Sequence, residues 1–299
     1  MRAFNLNSLL KSQDLQLVRS SSSQELDPHC HETLIWADTS GPLTISRVDS
    51  DDACFYRLRL GQQVAVDVTP ENRLAVLPAP DTPRITVDHF LADQVFPRIL
   101  SQGDDLVLHT GAVRDDGRAL LLLGASGSGK STLVTSFHQS GWTLMGDDAV
   151  VLSIAEEVPT ARAVYPSLRL FPDSMEALFT TPVASRAMAH YSDKQRLDVA
   201  IERKDSGSAA VSAIVVLGSD GPVTVRPLSR AEACMAMVEN SFALDPTDRG
   251  RARQRLERAS QLAHAVPAFV IDYPRDYARL PAVREAILSA VAGDRPLRH

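Results

Sequence analysis

Residues 124–131 read Gly-Ala-Ser-Gly-Ser-Gly-Lys-Ser, a complete match to GxxxxGK[ST]. From ordinary residue frequencies, a chance match in a chain of this length has odds of about one in a hundred. The string also dictates its surroundings, because such a loop needs a strand before it and a helix after it. The apolar run Leu120 to Leu123 predicts the buried strand, and STLVTSFHQSG predicts the helix. Glycines let backbone N–H groups converge on phosphate oxygens, and the helix N-terminus adds a favourable dipole. The predicted phosphate cradle is Gly124, Ala125, Ser126, Gly127, Ser128, Gly129, Lys130, Ser131 and Thr132. Lys130 supplies a point charge for the β- and γ-phosphates, and the Ser131 hydroxyl completes a Mg²⁺ site. ATP with Mg²⁺ is the expected ligand.

Asp147-Asp148, in WTLMGDDAVVL, follows Ser131 by sixteen residues. That distance suits one helix of three turns, a turn at Ser140-Gly141 and a strand ending beside the phosphate loop. A carboxylate pair there has two tasks: one member serves Mg²⁺, and the other takes the proton of an attacking hydroxyl. The bland alternative is a polar surface turn. His109, in LVLHTGAV, falls on the strand before the loop strand, as the other half of an expected hairpin. A lone histidine on a strand is more often structural, but this placement brings it toward the same site.

Taken together, LHTGAV, GASGSGKST and MGDDAVVL resemble the catalytic domain of HPr kinase/phosphorylase and its kinase-like relatives. The resemblance covers about 105–170 well and extends weakly to VPAFVIDYPRDYARLPAVREAI near the C-terminus. It implies an α/β fold with an HPr-kinase-like P-loop catalytic domain, whereas the smaller N-terminal domain, expected to be mostly β from its own patterning, does not obviously match the regulatory domain of the long members. It also implies Asp147 as the base, assisted by His109, with Lys130 on phosphate and Ser131 and Asp148 on the metal. The implied acceptor is a serine-type hydroxyl of a peptide or protein. Members of this family carry a glutamate-containing signature after the Asp pair, whereas this chain reads VYPSLRLFPDS. Forward transfer without the reverse phosphorylase reaction is therefore expected.

The remaining sequence divides into 1–100, expected to be mostly β with a candidate substrate-binding role, and 101–299, the catalytic part. Val64, Val66 and Val68 alternate with Ala65, Asp67 and Thr69, and Tyr56, Leu58 and Leu60 alternate with Arg57 and Arg59. A period of two is the half-buried strand pattern. A helix is expected over about 86–101, kinked or ended early by Pro97. Further strands are expected at 144–153, 163–170, 211–217 and 223–228, with a turn at Asp115-Asp116-Gly117. Helices are expected at 229–242, 249–265 and 281–292.

Composition narrows the function classes. A net charge of −6 argues against a dedicated nucleic-acid binder. No apolar run reaches membrane-spanning length. Three scattered cysteines without CxxC favour a reducing compartment, so a cytoplasmic protein without membrane partners is expected. Assembly as a homo-oligomer is left open.

Arg169, Lys194 and Arg196 are candidate clamps for the transferring phosphate, against a plain reading as solvated charges. Arg249, Arg251, Arg253, Arg255 and Arg258 read as a solvated helical face. His29-Cys30-His31 lacks a second ligand pair for zinc. Two other classes compete with the protein kinase: a P-loop kinase of a small-molecule hydroxyl, and a nucleotide-binding regulator. The absence of [NT]KxD and LSGGQ lowers the GTPase and transporter-ATPase cases.

Overall fold

Alternation in the first hundred residues produces a sheet whose two faces bury different chemistry. The computed structural model describes residues 16–19, 29–39, 41–51, 54–154, 158–165, 167–189, 192–197 and 207–293. Six strands, β1 (Gln16–Arg19), β2 (His31–Ala37), β3 (Leu43–Asp49), β4 (Cys54–Leu60), β5 (Val64–Val68) and β6 (Arg73–Pro78), pair in the order β1-β6-β5-β4-β3-β2. β2 to β6 form an antiparallel meander, and β1 joins β6 in parallel. Ile45, Leu58 and Val66 stand opposite one another and are fully buried. The neighbouring row is Ser46, Arg57 and Asp67, and there the buried charge is closed by a two-pronged bond, Arg57 Nε and Nη2 to Asp67 at 2.6 Å each. The turn at Thr69 to Asn72 closes through Asn72 N–H to Thr69 O, with Asn72 at φ 57°.

Pro97 does not end the following helix. The chain runs through α1 (Arg84–Phe90), a π turn (Leu91–Val95) and α2 (Phe96–Leu100). Proline has no N–H to give to Asp93 O, and a local π turn takes up that mismatch while the axis continues. Its apolar residues Val87, Phe90, Leu91, Val95, Phe96 and Ile99 are all buried, worth roughly 1.5–3 kcal/mol each relative to exposure.

Chain contacts divide the molecule into two units, Met1–Gln102 with Ala243–Ala252, and Gly103–Phe242 with Arg253–His299. The return of 243–252 to the first unit carries no sequence signal; there Tyr56 Oη donates to Asp245 Oδ2 at 3.1 Å. Burial and the Asp245 carboxylate push the Tyr56 hydroxyl up to about 12.

The second unit is mixed α/β. Its strands are β7 (Leu106–His109), β8 (Gly111–Asp115), β9 (Arg118–Leu123), β10 (Thr143–Gly146), β11 (Ala149–Ser153), β12 (Thr160–Ala163), β13 (Arg169–Leu170), β14 (Ser185–Ala189), β15 (Ser192–Leu197), β16 (Ala209–Leu217), β17 (Thr224–Pro227) and β18 (Ala268–Asp272). Its helices are α3 (Lys130–Gln139), α4 (Pro172–Leu178), α5 (Arg230–Glu239), α6 (Arg249–Ala265) and α7 (Leu280–Gly293). β10-β8-β9-β16-β12-β11-β7 form the main sheet, β18 continues from β16, β17 pairs β18, and β13-β15-β14 form a small separate sheet.

β9 is buried at every position after Arg118 because both faces are covered. Leu120 and Leu122 pack with Leu133, Val134 and Phe137 of α3 and Val283 and Ile287 of α7. Leu121 and Leu123 pack with Met237 of α5 and Leu262 of α6. α5 starts on a capping box in which Ser229 and Glu232 satisfy each other's backbone.

Two predicted strands are broken at the same level. LVLHTGAV forms β7 and β8, interrupted at Thr110, and 144–153 forms β10 and β11, interrupted at Asp147-Asp148. Yet the registers continue across the break: Ala112 faces Gly146 and His109 faces Ala149. Thr110 N–H donates to Asp148 O at 3.1 Å, holding the crease. β8 pairs on its other side with β9, whereas β11 pairs with β12, so the two halves of one ladder serve opposite ends of the strand order. The sheet curls on itself at this crease. The expected strand at 163–170 does not form: β12 ends at Ala163, and strand returns only in the two-residue β13, which belongs to a different sheet.

Candidate functional site

β9 delivers residues 124–129 at one end of the sheet, and pairing registers show what else arrives there. Gly111 faces Leu122, so the start of β8 lies at this end. Gly146 faces Ala112, so β10 leads Asp147 to the same level. On the other side Val216 faces Leu123 and Leu217 faces Ile271, which brings Gly218 and Tyr273 alongside.

The glycine-rich turn takes backbone that side chains resist, with Gly127 at φ 79° and Gly129 at φ 95°. A Cβ on Gly129 would also lie 2.7 Å from Tyr273 Oη. Ala125, Ser126 and Gly127 form the exposed crown, whereas Gly124 is buried. In α3 the first intrahelical bond runs from Leu133 N–H to Gly129 O. The N–H groups of Lys130, Ser131 and Thr132 therefore have no partner within the helix. Ser128 Oγ is buried with no hydrogen-bond partner among the described residues. Unpaired donors and an orphaned hydroxyl around one turn suit an anion such as phosphate.

Lys130 is 6% exposed, and its Nζ donates to Gly124 O at 2.6 Å and Ala125 O at 3.0 Å. Burial pushes its ammonium down to about 8; Lys194 and Arg169 add to this, and Asp147 opposes it. Ser131 and Thr132 are half-buried in the first turn of α3.

Asp147 is 2% exposed and fully engaged. It accepts from Ser167 Oγ at 2.9 Å and from Arg169 N–H at 2.8 Å, and the Arg169 guanidinium lies 3.7 Å away. Asp148 pairs with Arg169 Nη2 and accepts from Tyr165 Oη at 3.1 Å. Arg169 is thus brought to the carboxylates, where a phosphate contact was expected. Its neighbour across the β13–β15 ladder is Arg196. Lys194, on β15, stands 5.1 Å over the Phe171 ring while its charge acts on Lys130.

His109 is not on the hairpin with the loop strand; that hairpin is β8–β9, closed by Asp116 at φ 45° and Gly117 at φ 73°. His109 ends β7 instead, opposite Ala149, with its ring 6.0 Å edge-on to Phe242. Among the described residues no group of three or more His, Cys, Asp or Glu could hold a metal. Mg²⁺ on a nucleotide needs fewer, since phosphate oxygens and water fill most of its octahedron. Ser131 with a member of the Asp pair fits that donor chemistry. His29 and His31 are exposed and Cys30 is a free thiol.

Sequence reasoning missed four residues here. Tyr165 and Ser167 precede Arg169 by four and two residues in VYPSLRL, and that spacing gave the only available clue. Tyr273 and Arg275 lie far along the chain, in the C-terminal stretch whose weak resemblance assigned neither of them a role.

Fold and site define a mixed α/β protein with several sheets, carrying a strand–loop–helix turn with converging acid and base side chains. No helix among the described residues is long and apolar enough to cross a membrane. No protein-family model matches the chain, and no curated protein matches it. Among solved structures, the HPr(Ser) kinase/phosphatase from Coxiella burnetii is similar over 62% of this chain and 97% of that one, at 9% identity and a TM-score of 0.33.

Proposed function

We propose that the chain is an ATP-dependent kinase that transfers the γ-phosphate to a serine-type hydroxyl of a peptide or protein. The observation carrying this is the arrival of Lys130 and the Asp147-Asp148 pair at one sheet end, with the Asp147 charge acting on Lys130. A nucleotide-binding regulator needs the cradle but not a buried carboxylate aimed beside it.

In this reading the N–H groups of 130–132 and the Lys130 ammonium bind phosphate oxygens. Ser131 and Asp148 would hold a nucleotide-bound Mg²⁺, which would supply charge neutralisation for the transferring group. Arg169 exchanges its carboxylates for phosphoryl oxygens, which leaves Asp147 to take the proton from the acceptor hydroxyl as the oxygen attacks. Ser167 keeps Asp147 oriented, and Lys194 offers a second cation to the phosphate. The peptide or protein acceptor follows from the resemblance of the three sequence blocks, and a flexible segment reaches in-line distance most easily. A cytoplasmic setting is part of the same reading.

Labelled Mg-ATP incubated with serine-bearing peptides and with small hydroxyl compounds tests it. Mass spectrometry should find one phosphate gained on a peptide serine, and returning the product with inorganic phosphate should yield no pyrophosphate. Labelling of a small metabolite alone would replace the acceptor. No transfer to either class would leave only nucleotide binding.

A further inference from the structure

Leu122 of β9 faces Gly111 of β8 on one side, and its neighbour Leu123 faces Val216 of β16 on the other. Two strands to the first side stands Asp147, and two strands to the second side stands Tyr273. With the phosphates on the central turn and transfer directed toward Asp147, the nucleoside must leave on the Tyr273 side.

That side holds an unusually fixed cation. The Arg275 guanidinium lies 4.2 Å over the Tyr273 ring, and its Nη2 donates to Gly218 O at 2.7 Å. Tyr273 Oη in turn donates to Ser128 O at 3.2 Å, and Arg275 Nη1 is 3.7 Å from where a Gly129 Cβ would stand. Tyr273 is buried and Arg275 exposed. An exposed arginine ordinarily keeps its rotamer freedom and satisfies its charge in water or on a carboxylate. Here it sits over a ring and donates to a carbonyl, and among the described residues no carboxylate pairs with it. A planar cation seated over tyrosine has its far side open to a second flat ring, and guanidinium planes stack well on nucleobases.

We propose that Arg275, positioned by Tyr273, stacks on the purine base of the bound nucleotide. This rests on the reading of 124–132 as a nucleotide site. It makes no use of base edges.

The test compares Mg-ATP with Mg-tripolyphosphate, which has the phosphates without the nucleoside. Calorimetric affinities are measured for the wild type, Arg275→Ala, Arg275→Lys and Lys130→Ala. Loss of one stacked base predicts about tenfold weaker ATP binding in Arg275→Ala, with tripolyphosphate changed less than about twofold. Arg275→Lys keeps the charge but not the plane and should resemble Arg275→Ala. Equal losses for both ligands would make Arg275 a phosphate contact and overturn stacking, as would rescue by lysine or an unchanged ATP affinity. Lys130→Ala should weaken both ligands. If it weakens neither, the nucleotide site itself falls, and the stacking shelf with it.

Discussion

In the six-stranded sheet, Arg57 lies directly across the ladder from Asp67, and its buried guanidinium meets that carboxylate through two hydrogen bonds. At the end of the nine-stranded sheet, Lys130, the first residue of α3, is about as deeply buried but donates to two loop carbonyls, and its ammonium is pushed down to about 8. Arg169 lies between two carboxylates, one of which it meets only at 3.7 Å. A closed pair such as Arg57–Asp67 stabilises its own sheet and has nothing left to offer a ligand. Charge that stays buried without full compensation is held ready for something that completes it. Substitutions should therefore separate by region, toward activity in one and toward stability in the other.

Asp147→Asn should show the largest effect. Loss of the positioned base lowers phosphoryl transfer by about 10²–10⁴-fold, while Mg-ATP affinity stays within a few-fold. Labelled transfer and calorimetry on the same preparation measure both. Near-normal transfer would make the carboxylate pair structural and erase the contrast with Arg57–Asp67.

Arg57→Ala tests the other side. Leaving Asp67 half-buried without its partner costs about 3 kcal/mol of stability, read from urea unfolding, with Mg-ATP affinity unchanged. A variant as stable as wild type would show that the pair contributes nothing.

Lys130→Ala should weaken Mg-ATP roughly ten- to a hundredfold, as expected for losing hydrogen bonds to a charged group, with little change in melting temperature. A stability loss larger than the affinity loss would place Lys130 with the structural charges.

The smallest expected effect is on pH. Phosphate oxygens favour the charged ammonium, so binding raises a pKa that begins near 8. Below that value Lys130 is already protonated and affinity is flat. Above it, binding must take up a proton, and affinity should fall about threefold between pH 7.5 and 8.5. Titrations in buffers of different ionisation enthalpy would reveal the uptake, and Lys130→Ala should abolish it. A flat profile in the wild type would mean Lys130 is charged throughout.

Much of this architecture follows from local pattern. Val64, Val66 and Val68 place β5 because a period of two is complete within five residues. Asp116-Gly117 places the β8–β9 hairpin because only a few residue types accept positive φ. Gly124 to Ser131 places the strand–loop–helix turn for the same reason, and the apolar faces of α5, α6 and α7 show in their spacing. Pro97 was legible as a disturbance, but whether it ends or widens a helix depends on how firmly Phe90, Phe96 and Ile99 are buried around it.

Local spacing determined that a glycine-rich strand–loop–helix turn and an acid pair exist, since backbone conformation and residue type act within a few positions. Tertiary structure decided what those groups meet. Thr110 and Asp148 break two strands at one level because the sheet must curl there, and that crease takes His109 off the loop hairpin. Arg169 reaches Asp147 from a two-residue strand, and Tyr273 reaches Ser128 across 145 positions of sequence. No local period encodes such meetings, because they depend on strand order and register, which are settled only when the whole sheet is paired and both its faces are covered.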